Sequence, residues 1–243
     1  MELRTSLTIG AICAFIGAPL GIAVNGLHPP LPRDGEVALR IIAQTSGWPL
    51  IHLGIIAALL LLAGSLLAIS RSIDRGRSRA IAEFGLLAAV VGITIMAADI
   101  AIDGYATRPL ARAWLDATPA EQRVAFHVAL GVLSAQEALF FLGFAIVFGL
   151  TFVLYGAAVS GSGIYPRWLG TIAVIAGAGS LVLGVGFFLR AGWATAIFLH
   201  GLALILTLWV LTMGSLLWRR AGALRESAMQ WRASAIGEDP RGT

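Results

Sequence analysis

Six stretches of this chain are apolar over membrane-crossing lengths, at 7–26, 48–70, 80–103, 124–158, 168–190 and 194–218. About 20 residues at 1.5 Å each cross a hydrocarbon core. Lipid offers no partner for backbone N–H and C=O groups, so each stretch must satisfy its own by forming a helix. Composition agrees. Only 12% of the 243 residues are charged and 58% are hydrophobic, whereas a soluble domain carries about 25% charge. The expected fold class is therefore all-α, an integral membrane bundle of six transmembrane helices over 1–220. A flexible tail follows over 221–243. The end of the first stretch, "GIAVNGLHPP", lacks a small-x-small cleavage site, so it is kept as a span.

All 17 basic residues are arginine. Eleven fall on one side of the predicted bundle, among them Arg4, Arg71, Arg75, Arg77, Arg79, Arg167, Arg232 and Arg241. Six fall on the other: Arg33, Arg40, Arg108, Arg112, Arg123 and Arg190. The cytoplasmic side takes the excess. This predicts a multipass protein of the cell (inner) membrane with both termini cytoplasmic. The arginines flank helices and form no patch interleaved with aromatics, which argues for a lipid bilayer partner and against nucleic acid. The one cysteine, Cys13, excludes an internal disulfide and reads as a small buried hydrophobe.

The predicted outer loops carry structure of their own. "HPPLP" at 28–32 is stiff and extended. "EVALRIIAQ" carries the stripe Val37, Ile41 and Ile42, and "RPLARAWLDA" opens with Pro109 and holds Trp114. Both suit short helices lying at the interface, with Trp114 at headgroup level. Thr118, Pro119 and Glu121 read as a capping box. The fourth helix would then begin well before its apolar part and either project or break near Gly131. Glycines recur seven apart (Gly10/Gly17, Gly47/Gly54, Gly85/Gly92, Gly149/Gly156 and Gly170/Gly177/Gly184), nearly two helical turns, and are expected to form packing seams.

Ionisable residues inside a bilayer are costly and are functional candidates by default. They gather at one end. His52 is a turn into the second span, Asp99 a turn inside the third with Asp103 at its rim, and His127 opens the apolar part of the fourth. Glu137 lies deeper on that helix beside Gln136, with Ser134 on its face; Arg190 closes the fifth, His200 lies inside the sixth and His28 closes the first. Glu83 alone lies at the opposite end, near the arginines of 71–79. Depth matching groups His52, Asp99 and His200 as a metal layer, completed by Glu137 or His127, suited to zinc, copper or iron. His52, His200 and His127 on separate helices are also the candidate haem ligands. Glu137 and Asp99 are the candidate catalytic carboxylates, and Asp103, Arg190, Gln136 and Ser134 complete the pocket wall. His127 and Glu137, ten residues or roughly 15 Å apart, cannot share one ion. No HxxxH, HExxH or ExxH pair is present.

Three functions stay open on these residues. The first is an outward-facing site that binds metal or haem or acts on a small-molecule or lipidic ligand at the outer leaflet. The second is a proton-coupled transporter using Glu137. The third is a structural subunit of a homo-oligomer or larger membrane complex, in which Arg190 pairs Asp99 or Asp103 and the polar groups only fix helix register.

"LTFVLYGAAVSGSGIYPRWLGTIAVIAGAGSLVLG" (150–184), with "DGYA" (103–106) and "WPLIHLG" (48–54), resembles a group of uncharacterised six-span membrane proteins of high-GC bacteria and some archaea. That group resembles in turn a domain-of-unknown-function type with a Pro-Arg-x-Leu-Gly loop, here Pro-Arg-Trp-Leu-Gly. The resemblance implies the six-span topology and no particular activity.

Overall fold

The computed structural model describes residues 2–74, 76–191, 193, 194 and 196–237. Arg75, Arg241 and the last six residues of the predicted tail lie outside them, as does the side chain of Arg232. The described residues form helices and no strand. They are α1 (Glu2–Leu27), α2 (Gly35–Gln44), α3 (Trp48–Ser72), α4 (Gly76–Ile102), α5 (Arg108–Asp116), α6 (Gln122–Phe144), α7 (Thr151–Gly161), α8 (Arg167–Phe188) and α9 (Ala196–Gly237). A π-helical turn, Asp103–Thr107, joins α4 to α5, and a second, Ala145–Leu150, joins α6 to α7. Six continuous helical stretches are long and apolar enough to cross a membrane. The chain is a multipass membrane protein.

The spans close into a ring, with α1 between α9 and α3, then α4, then α6–α7, then α8 returning to α9. Leu50, Leu53, Leu60, Phe84, Ile175 and Leu208 point outward and are exposed. In water such a belt would be a large apolar patch; in lipid it is the solvated surface. Inside the ring the glycine seams close as expected. A Cβ on Gly10 would sit 2.0 Å from that of Ala68, and one on Gly156 would sit 2.6 Å from the Gly170 carbonyl. These approaches let backbones meet and gain dispersion contact where no hydrophobic drive exists between helices. Gly47 departs from the pattern: its nearest neighbour is Ile51 at 3.9 Å.

Several local expectations are corrected. The α6 helix starts at Gln122 and passes Gly131 without a break; the irregular turn comes later, at Ala145–Leu150. The Thr118 hydroxyl donates to the Glu121 carboxylate at 2.8 Å, so the two side chains bond each other rather than the backbone, and Thr118 caps through its carbonyl. The backbone of α9 continues as helix to Gly237, past Arg220. Cys13 is half-buried against Gly64 rather than enclosed.

The short helices α2 and α5 do more than lie on a surface. Asp34 caps α2 by accepting from the Glu36 and Val37 amides at 2.9 and 3.1 Å. The helix then buries Ala38, Leu39, Ile42 and Ala43, while Val37 is exposed. These join Trp48, Ala111, Trp114 and Ala129 in a second apolar core over one end of the ring. Trp114 is therefore a core residue and not a headgroup anchor. The Arg40 guanidinium lies 5.7 Å from its ring centroid and Phe126 packs beside it at 5.8 Å. At the opposite end Tyr165 donates to Ser72 at 2.6 Å, Arg220 donates to the Ser72 carbonyl at 2.8 Å, and Glu83 pairs with Arg79 at 2.9 Å. Burial pushes the Tyr165 phenol above its ordinary range, with Ser72 and Arg220 opposing.

Candidate functional site

Three chain segments converge beneath the second core. Pro29 and Pro30 end α1, because neither has an N–H to continue it. The half-buried His28 is left at the corner, its Nδ1 3.0 Å from the Pro29 carbonyl. In α3, Pro49 sits in the first turn, where its missing N–H is not needed. His52 follows one turn after Trp48, with its Nδ1 2.7 Å from the Trp48 carbonyl. The third segment is the π-helical turn, in which Asp103, Gly104 and Thr107 are all buried. Single π turns inside α-helices commonly re-aim side chains at functional sites.

A carbonyl oxygen only accepts, so the Nδ1 of each imidazole must carry the proton. In the neutral form each Nε2 is then left with the lone pair. The His52 Nε2 faces Asp103 Oδ2 at 2.9 Å. A bare imidazole nitrogen and a carboxylate repel at that distance. The contact needs a positive element between or beside them, either a proton or a metal cation. The donor atoms of His28, His52 and Asp103 all lie within 4.8 Å of one another. Fixing the Nδ1–H on a backbone carbonyl, so that Nε2 is presented, is the arrangement that orients metal-bound histidine. Burial, and then the neighbouring His52, hold the His28 imidazole below its ordinary range, against the opposing pull of Asp103 and the Pro29 carbonyl.

The surroundings hold these groups in place. The Trp48 indole N–H donates to the Asp103 carbonyl at 2.8 Å and to the Thr107 hydroxyl at 3.2 Å. That hydroxyl is in turn within reach of the Asp103 carbonyl and its carboxylate Oδ1. The Trp48 ring lies 4.8 Å from His28 and 4.6 Å from His52, and the two imidazoles are 5.1 Å apart. Gly104 lets the π turn press on α3: a Cβ there would stand 2.5 Å from the His52 Cβ.

Of the residues singled out in the sequence, His52, Asp103, Asp99 and Gln136 come together. Asp99 is 1% exposed, one turn below Asp103, with Gln136 as its hydrogen-bonding neighbour and its Oδ1 unpartnered. The expected set of His52, Asp99 and His200 is not brought together as such: His52 is grouped with Asp103 and His28, while His200 is exposed on α9, a helix that packs on α1, α8 and α3. His127 is exposed on α6 beside Phe126. Of the three histidines considered for haem, His52 is buried in this group, while His127 and His200 are exposed on α6 and α9. Glu137, Ser134 and Arg190 line a cavity that Gln136 also borders, and none of these three belongs to the His28–His52–Asp103 group. His28 stands among the ionisable residues gathered at one end in the sequence, and its place between the first span and Pro29 is the signal that sets it at this corner.

Comparison with protein-family models, with curated proteins and with solved structures finds no match to the chain.

Proposed function

We propose that this protein is an inner-membrane metalloprotein whose outward end holds one divalent transition ion on His28, His52 and Asp103. Two imidazoles and one carboxylate are the donor set of hydrolytic zinc and of non-haem iron centres. Three protein ligands leave coordination positions for water or substrate, so the ion would act as a Lewis acid at the membrane surface. The observation that carries this reading is the His52 Nδ1–carbonyl contact, which turns its Nε2 to the Asp103 carboxylate at 2.9 Å, with a donor atom of His28 within 4.8 Å of both. The orientation follows the arginines: those of the described loops and helix ends are more numerous at the end opposite this cluster, which favours cytoplasmic termini.

The test is metal titration of the detergent-purified chain, with cobalt(II) absorption for geometry and elemental analysis for stoichiometry. One equivalent is expected for the wild type, His127→Ala and His200→Ala. His28→Ala, His52→Ala and Asp103→Ala should each weaken binding by at least about tenfold, the lower end of what supporting groups alone contribute. A wild-type chain that takes up no ion, or a His200→Ala variant that loses it, overturns the reading.

A further inference from the structure

A second site adjoins the first through Gln136, the neighbour of Asp99, and needs no metal. A cavity of about 560 Å³ opens between the loop after α1, helix α6 and the end of α8. That volume is within the range of small-molecule sites, roughly 300–1,000 Å³. Its inner wall is aromatic: Phe141 and Phe187 stack at 4.6 Å with their planes 2° apart. Its polar lining is two arginines, Arg33 and Arg190, with the single carboxylic residue Glu137, Gln136 and Ser134. An apolar wall beside a polar lining with net positive charge fits an amphiphile whose head is anionic.

Arg190 supplies a separate observation. Helix α8 ends with the Arg190 amide donating to the Phe187 carbonyl and the Ala191 amide donating to the Gly186 carbonyl, both at 2.8 Å. This double closure places Arg190 in the left-handed region at φ 54°, alone among the described non-glycine residues. Glycine is the usual occupant of that position. Strained backbone is retained where the side chain has a use, and this side chain lines the cavity. This end of α8 is also a lipid-facing place. Phe188, Leu189 and Trp193, around the end of α8, are exposed by 55%, 70% and 56%, and tryptophan belongs at the headgroup level.

We infer that this cavity holds one anionic phospholipid of the bilayer, its phosphate between Arg33 and Arg190 and its acyl chains along the Phe141–Phe187 wall. Arg190→Gly separates this role from folding, because it removes the guanidinium and relieves the backbone at once.

The experiment is native mass spectrometry of the purified chain exchanged into detergent with equimolar phosphatidylglycerol and phosphatidylcholine, beside a melting curve. Wild type should retain one phosphatidylglycerol at least fivefold over phosphatidylcholine. Arg190→Gly should lose that preference with an unchanged or higher melting temperature. Arg33→Gln should weaken it, Glu137→Gln should strengthen it, and His52→Ala should leave it intact. Equal retention of the two lipids by wild type overturns the inference. So does an Arg190→Gly variant that retains phosphatidylglycerol as wild type does, or displacement of the lipid by millimolar inorganic phosphate, which would mark a site for a soluble anion.

Discussion

Adding one methyl group at Gly104 should damage the proposed metal centre without replacing any of its ligands. The new Cβ would stand 2.5 Å from the His52 Cβ and 3.0 Å from its Cγ. Ordinary contact begins near 3.4 Å, so the π turn and α3 must separate by about 1 Å, since neither neighbour is the free end of a flexible chain. Overpacking of this kind costs typically about 1–3 kcal/mol. The His52 Nε2 to Asp103 Oδ2 contact, now 2.9 Å, would open by a comparable amount. Displacing a ligand through its support lowers metal affinity by about 10–100-fold, or roughly 1.4–2.7 kcal/mol. The assay is cobalt(II) or zinc titration of Gly104→Ala beside thermal unfolding. Gly131→Ala is the control, because a Cβ there meets nothing within 4 Å. Replacing that helical glycine should stabilise by about 0.5–1 kcal/mol. A Gly104→Ala variant that melts and binds metal as wild type does would refute the claim that this close approach sets the position of His52.

Three further outcomes are expected. Trp48→Phe keeps an aromatic ring against both imidazoles but strips the donor from the buried Asp103 carbonyl and Thr107 hydroxyl; it should cost about 1–3 kcal/mol in thermal unfolding and weaken metal binding in the same titration. Arg190→Gly should raise stability by about 1 kcal/mol, read as a higher melting temperature, by relieving the left-handed arginine. Tyr165→Phe should cost about 0.5–1.5 kcal/mol at neutral pH through loss of the bond to Ser72. The folded Tyr165 phenol is pushed above its unfolded value of about 10, so its contribution is complete below that pH and fades as pH rises through the folded value. Melting curves from pH 8 to 11 should therefore show the gap between wild type and Tyr165→Phe closing at the alkaline end.

The spans were legible because a bilayer imposes one requirement, a long apolar helix, that composition and length express directly. The seams were legible for a related reason: a glycine pair such as Gly149/Gly156 marks one face at helical spacing, and those positions meet Leu181 and the Gly170 carbonyl. The second core was only half legible. The apolar residues of α2 and α5 were visible, but their destination was not. A helix that lies on lipid and one that lies on two other helices show the same stripe, so Trp114 reads equally as an anchor or a core residue.

The His28–His52–Asp103 group shows where depth alone fails. Counting residues from the end of a span measures height along its axis, and that count put His52, Asp99 and His200 at one level. It says nothing about direction around the axis or about which helices are neighbours. His200 belongs to α9, on another part of the ring. Asp99 and Asp103, four residues apart, would share a face on an ideal α-helix; the π turn beginning at Asp103 widens the spiral there. Asp103 is brought to His52, while Asp99 is left to Gln136 on α6. Nothing in the local sequence announces a π turn, because its cause is tertiary: Gly104 against His52, and the Trp48 indole reaching the Asp103 carbonyl. If that is the cause, Trp48→Phe combined with Gly104→Ala should return 103–107 to α-helical geometry and swing the Asp103 carboxylate away from His52. In a double-mutant cycle their effects on metal affinity should then fall short of additive, because either change alone already releases the turn. Strictly additive losses would mean that the turn is built into residues 103–107 themselves.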